Sequence, residues 1–164
     1  MAEELNIDQY KSLVKKPKKR SNDEYKIYKA LVVYIKAQYP HVIWRYDMSG
    51  ANLSMAARTM NKAIQKSRAY PDFFLAVPKF KNVIPYGGMY LEIKTSRDEV
   101  FNKDGSLKKK LVTKKKNGVI IEQYDHNLDQ YNMLEELRRK GYYASYGFSL
   151  DGCIKQIDYY MKLT

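Results

Sequence analysis

Two short apolar runs in this chain carry charge where a buried strand should have none. Tyr70-Pro71-Asp72-Phe73-Phe74-Leu75-Ala76-Val77 is answered downstream by Met89-Tyr90-Leu91-Glu92-Ile93-Lys94-Thr95. Alternate side chains of a strand point to opposite faces, so Met89, Leu91 and Ile93 share one face and Tyr90, Glu92 and Lys94 the other. Pro85 and Gly87-Gly88, between the runs, are turn signals and predict an antiparallel hairpin folded near Asn82. That hairpin sets Asp72 opposite Glu92 and Lys94. Two carboxylates with an ammonium beside them, at the end of a sheet, form a cradle for a divalent cation and an activated water.

Helical spacing surrounds the hairpin. Ser21-Asn22-Asp23-Glu24 carries capping residues, and Ile27, Tyr28, Leu31, Val32 and Ile35 continue a helix to about Gln38, packed on the sheet. Glu24 lies on the stripe of Tyr28, Leu31 and Ile35, one turn beyond its apolar end. It either looks toward the acidic pair or closes a Ser21-x-x-Glu24 capping box, and the sequence leaves both open. His41 to Met48 reads as a first strand and residues 49–52 as a loop. A second helix over Leu53 to Lys66 places Leu53, Ala56, Ala57, Met60 and Ile64 on one face, with Arg58, Lys62 and Lys66 opposite.

Beyond Thr95 the pattern turns polar. Residues 97–124 hold Lys108, Lys109 and Lys110, then Lys114, Lys115 and Lys116, with turn signals at Asp104-Gly105 and Asn117-Gly118. Seven lysines against one aspartate between Asn102 and Gly118 make this either a protruding basic hairpin or a segment that orders on binding. Asp125-His126-Asn127 opens a third helix with an apolar stripe of Leu128, Tyr131, Leu134 and Leu137, which Gly141 stops; Gln130 flanks the stripe, either orienting a water or phosphate or simply partly exposed. Tyr142 to Phe148 supplies another strand, and Asp151 to Lys162, with Ile154, Ile157 and Met161 on one face, a last helix. The expected fold class is α/β: one domain, a mixed β-sheet flanked by helices, with a basic insertion.

Composition adds a partner. The formal charge of +12 over 164 residues suits a polyanion, since neutralised phosphates release counterions. The stripe of Arg58, Lys62 and Lys66 has no acid between Leu53 and Tyr70 and leads through Arg68 into the Pro71-Asp72 strand, which favours phosphate contact next to the acidic pair. Residues 1–20, rich in lysine, read as a mobile basic arm. The single cysteine, Cys153, forms no internal disulfide, and His41 and His126 stand far apart without thiol or imidazole neighbours, against a structural zinc site. No membrane-length apolar run and no leader are visible, so the expectation is a cytoplasmic protein with no membrane partner.

Hydrolysis of a phosphodiester needs a water activated near neutral pH and relief of charge building on phosphate and leaving oxygen. Asp72 and Glu92, with the carbonyl of Ile93 as a third oxygen, can hold Mg²⁺, and Lys94 can position the nucleophile or meet developing charge. The alternatives are a non-catalytic DNA-binding module with the same basic surfaces and a sequence-specific restriction-type endonuclease. Three core charged residues weigh against the first, and no recognisable base-reading element supports the second.

Pro71-Asp72 with Glu92-Ile93-Lys94 resembles the PD-(D/E)xK nuclease signature, and the order of elements resembles its VRR-NUC branch, which includes small phage nucleases. The likeness spans about Asp23 to Met161. It takes in the Glu24-x-x-Ile27 helix start, the Ala56-to-Lys66 helix, Phe73 to Pro78, Leu91-Glu92-Ile93-Lys94, Gln130 and the Leu137-to-Gly141 ending. The resemblance implies a restriction-endonuclease-like nuclease domain over 21–164. Asp72 and Glu92 would be metal ligands, Lys94 catalytic, and Glu24 and Gln130 supporting residues. It further implies Mg²⁺, replaceable by Mn²⁺, as cofactor, and branched DNA such as Holliday junctions as substrate. A homodimer in a bacterial or phage-infected cell is the implied setting. Tyr28 stands where a glutamine is common, Ala69 where a glycine is usual, and the lysine-rich insertion is longer than typical.

Overall fold

The structure, a computed structural model, describes residues 23–47, 54–65 and 67–164, the side chains of residues 58, 61 and 62 excepted. The expected basic arm, the Ser21 cap and the 49–52 loop lie outside the described residues. In chain order the elements are α1 (Asp23–Gln38), β1 (Trp44–Tyr46), α2 (Met55–Ile64), β2 (Phe73–Leu75), β3 (Lys79–Lys81), β4 (Ile84–Tyr86), β5 (Met89–Lys94), β6 (Leu111–Lys116), β7 (Val119–Asp125), α3 (His126–Arg139), β8 (Tyr143–Phe148) and α4 (Ser149–Met161).

A four-stranded sheet runs β1-β2-β5-β8. The first two pairings are antiparallel, and β8 lies parallel to β5. The β2–β5 register sets Phe73 opposite Leu91 and Leu75 opposite Met89, as the two charged runs predict. The connection is longer than a simple turn: β3 and β4 form their own small ladder, turning at Asn82, whose φ is 57°.

Strand β5 is buried along its whole length because helices cover both faces. Met89, Leu91 and Ile93 join Phe73, Leu75, Leu31 and Ile35 of α1, and Cys153, Ile157 and Tyr160 of α4, in one core. Tyr90 belongs to the other, with Val100, Leu134, Leu137, Ala144 and Tyr146. The α1–α4 layer is tied by Tyr34 and Tyr39, whose hydroxyls both donate to Asp158 Oδ1, at 2.7 and 2.8 Å. At Gly147 of β8 an added Cβ would meet Cys153 Sγ at 2.5 Å and Cys153 Cα at 3.1 Å, so the missing side chain lets α4 lie close on the sheet.

Several sequence expectations shift. The first strand is confined to Trp44–Tyr46. On α2, Met55, Met60 and Ile64 are exposed; the apolar periodicity makes a helix there without packing that face on the sheet. The buried stripe of α3 is Asn127, Gln130, Leu134 and Leu137, while Leu128 and Tyr131 are exposed. The stripe is rotated because polar Asn127 and Gln130 turn inward to bond the Glu99 and Lys108 carbonyls and the Glu92 carboxylate. Within 97–124 a short 3-10 turn at Arg97–Glu99 precedes an ordered hairpin, β6–β7. Its Asn117-Gly118 corner has φ of 50° and 80°, the positive values of a tight hairpin turn whose twist matches the strands.

Candidate active site

Asp72 precedes β2, and continuing the β2–β5 register brings it opposite Glu92. Its Oδ2 accepts the Ile93 N–H at 2.8 Å, so the side chain extends the ladder one step beyond the strand. The N–H and C=O of one strand residue project to the same edge. The Ile93 carbonyl therefore shares the Asp72 side of β5.

Glu92 and Lys94 lie on the α3 face of β5 and are almost fully buried, at 1% and 6% exposure. Unpaired charges there would be costly, and the two pair directly: Lys94 Nζ donates to Glu92 Oε1 at 2.6 Å. Gln130 Nε2 of α3 donates to the same oxygen. The amide expected at the edge of the site is thus inside it, and the Gln130 Oε1 is buried with no partner among the described residues.

From the other face, α1 brings Tyr28 near enough for the charge of Asp72 to act on its phenol, and its ring packs on Tyr46 with centroids 5.2 Å apart. Glu24, one turn earlier, is exposed, and its charge acts on Asp72, Glu92 and Lys94.

The electrostatics follow from that crowding. Burial pushes the Asp72 carboxyl up, Lys94 opposes the shift, and the net direction is upward. Glu92 is raised further, by burial and then by the charge of Asp72. Burial pulls Lys94 down, but Glu92 and Asp72 outweigh it and hold the ammonium above its ordinary value. One ammonium serves two close carboxylates, and the second negative charge is uncompensated.

That donor set fits a hard divalent cation. It offers oxygen atoms only, its excess charge is negative, and Mg²⁺ takes few protein carboxylates and keeps several waters. Among the described residues, no three His, Cys, Asp or Glu side chains converge as a metal cluster. Asp72, Glu92 and the Ile93 carbonyl are the oxygen atoms that could contribute to such a site.

The basic residues divide. The side chains of Arg58 and Lys62, and all of Lys66, lie outside the described residues. Arg68 is engaged by the hairpin: it pairs with Glu122 and its guanidinium lies 4.0 Å from the Tyr124 ring centroid. Lys114 pairs with the same glutamate at 2.9 Å, and Lys108 Nζ donates to the Asp98 carbonyl at 3.1 Å. Lys109, Lys110, Lys115 and Lys116 are exposed.

Two residues of consequence were not singled out from the sequence. Asn127 is buried and donates to the carbonyls of Glu99 and Lys108, at 2.9 and 2.7 Å, which pins the insertion to α3. His126 stands one helical turn before Gln130, and Lys94 acts on it electrostatically. Their spacing from Gln130, three and four residues, was the available signal.

No family model matches the sequence, and no curated protein matches it. Among solved structures the chain is similar to one named "VRR_NUC domain protein", at a TM-score of 0.52 and 18% identity, over 86% of this chain and 89% of that one. A mixed sheet flanked by helices over nearly the full length of both chains gives this protein the fold of a VRR-NUC domain.

Proposed function

We propose that this chain is a divalent-metal-dependent DNA endonuclease that hydrolyses phosphodiester bonds at the Asp72–Glu92–Lys94 site, with Mg²⁺ as the working ion and Mn²⁺ able to replace it. The observation that supports it most is the buried ion pair of Glu92 and Lys94 at 2.6 Å, with Asp72 fixed by the neighbouring Ile93 N–H. A carboxylate and an ammonium are costly to bury, and their placement beside the Asp72 carboxylate suits chemistry better than packing.

Asp72, Glu92 and the Ile93 carbonyl would hold the ion, with Glu24 reaching it through water. The bound cation would supply a water of lowered pKa and draw charge from the phosphate. Lys94, kept charged by its acidic neighbours, orients the attacking water or meets negative charge growing on the phosphate. Gln130 holds Glu92 in place, and the Ile93 N–H does the same for Asp72. The lysines of the insertion, with the formal charge of +12, would carry the DNA backbone to the site.

Branched DNA is the proposed substrate and a homodimer the proposed form, because symmetric cuts across a junction need two related sites. The test is a panel of labelled four-way junction, flap, nicked and plain duplex DNA with Mg²⁺, using Asp72→Ala as control. Cutting by the wild type alone is expected, with binding kept in the variant. Salt-sensitive binding with no cutting of any substrate would identify a DNA-binding module instead. Defined ends on plain duplex would identify a sequence-specific endonuclease.

A further inference from the structure

His126 is the first residue of α3, four positions before Gln130, so the two share one helix face about 5–6 Å apart. Gln130 meets Glu92 of β5. Helix α3 links β5 to the parallel strand β8, and the helix of such a crossover runs opposite to its strands. One turn back along α3 therefore moves forward along β5. Two strand residues rise about 6.6 Å, so the turn from Gln130 to His126 matches the step from Glu92 to Lys94.

The charges around the imidazole agree with that alignment. Lys94 of β5 acts on it most, followed by Lys110 of the insertion, and both disfavour its protonation; Asp125 and Asp129 oppose them weakly. Asp125 is already engaged, accepting the N–H groups of Lys110 and Leu128. Half-buried between two cations, the ring is held below its ordinary pKa, by burial first and Lys94 second. Its backbone is fixed as well, since its N–H donates to the Lys110 carbonyl at 2.9 Å. The first turn of α3, with its half-buried imidazole, thus lies level with the Glu92–Lys94 step of β5.

We propose that His126 is a further catalytic residue, the proton acceptor for the water that attacks the phosphorus. As the new O–P bond forms, the water O–H bond breaks and its proton passes to a ring nitrogen. The O–P bond to the leaving oxygen breaks with its electron pair, and that oxygen takes a proton from solvent. This role rests on the phosphodiesterase activity proposed above and is tested so that the two can fail separately.

The experiment uses the full chain, Mg²⁺ and whichever labelled DNA of the panel the wild type cuts. His126→Gln, which keeps a polar side chain but does not titrate, is expected to lower kcat about 100-fold or more. KM should stay within a few-fold and the acid limb of the kcat–pH profile should disappear. Added imidazole should restore part of the rate of His126→Ala. Independently of cutting, the NMR titration of the His126 ring should move to higher pH in Lys94→Ala. A wild type that cuts DNA while His126→Gln keeps both rate and acid limb would overturn this role alone. A loss confined to KM, or a His126 titration indifferent to Lys94, would also overturn it. A wild type that cuts nothing would remove the nuclease activity and this role together.

Discussion

Gln130 of α3 and Lys94 of β5 donate to the same oxygen, Oε1 of Glu92. The carboxylate that would carry half of a metal site is thus held from two elements, and its orientation depends on an amide outside the strand hairpin. Gln130→Leu keeps the size of the side chain and removes the donor. Supporting groups of this kind are worth about 10- to 100-fold in metal affinity or activity. The expected outcome is a loss of that order in kcat, or a matching rise in the Mg²⁺ concentration for half-maximal rate, with the circular dichroism spectrum unchanged. Wild-type values in both would show that Lys94 alone suffices to hold Glu92.

Both site carboxyls are raised above their unfolded values. Between the ordinary carboxylate range and neutral pH, the folded chain keeps protons that the unfolded chain has released. Stability without metal must therefore fall as pH rises through that window. A plot of unfolding free energy against pH in EDTA should slope downward for wild type and flatten for Glu92→Gln, whatever the absolute stability of the variant. Saturating Mg²⁺ should flatten the wild-type slope too. Parallel slopes in EDTA would mean that the pair is not a source of proton linkage.

Asn127 holds the insertion through two carbonyls. In Asn127→Ala those two carbonyls lose their donor, at a cost of about 0.5–1.5 kcal/mol for each hydrogen bond. Faster amide hydrogen exchange over residues 97–110 should accompany it, with β2 and β5 unaffected. Exchange that rises evenly across the sheet would point to global destabilisation instead.

Gly147→Ala places a methyl group 2.5 Å from Cys153 Sγ and 3.2 Å from Leu91 Cδ2. Overpacking of this kind costs about 1–3 kcal/mol, read as a lower urea midpoint with unchanged m-value. Gly147→Ala combined with Cys153→Ala should recover part of the loss, because the sulfur is the closest obstacle.

The strand period of two already put Glu92 and Lys94 on one face of β5, and the breaker residues between the charged runs already implied the antiparallel register that brings Asp72 to them. Those features are local: they depend on alternation and turn residues, written in consecutive positions. The sequence of helices and strands was legible for the same reason. What the tertiary structure decided is which helix face turns inward. Leu128 and Tyr131 make the more apolar stripe of α3, yet Asn127 and Gln130 are buried, because the loop carbonyls of Glu99 and Lys108 and the buried Glu92 carboxylate take their amide donors. The apolar face of α2 shows the converse, since Met55, Met60 and Ile64 form a helix but remain exposed; periodicity specifies a conformation and not its partner. Arg68, read as a phosphate contact, is taken up by Glu122 and Tyr124 of the hairpin, a pairing across 54 positions that no local pattern encodes. His126 became visible only when the crossover of α3 fixed its direction against β5, because alignment of a helix turn with a strand step exists only between packed elements.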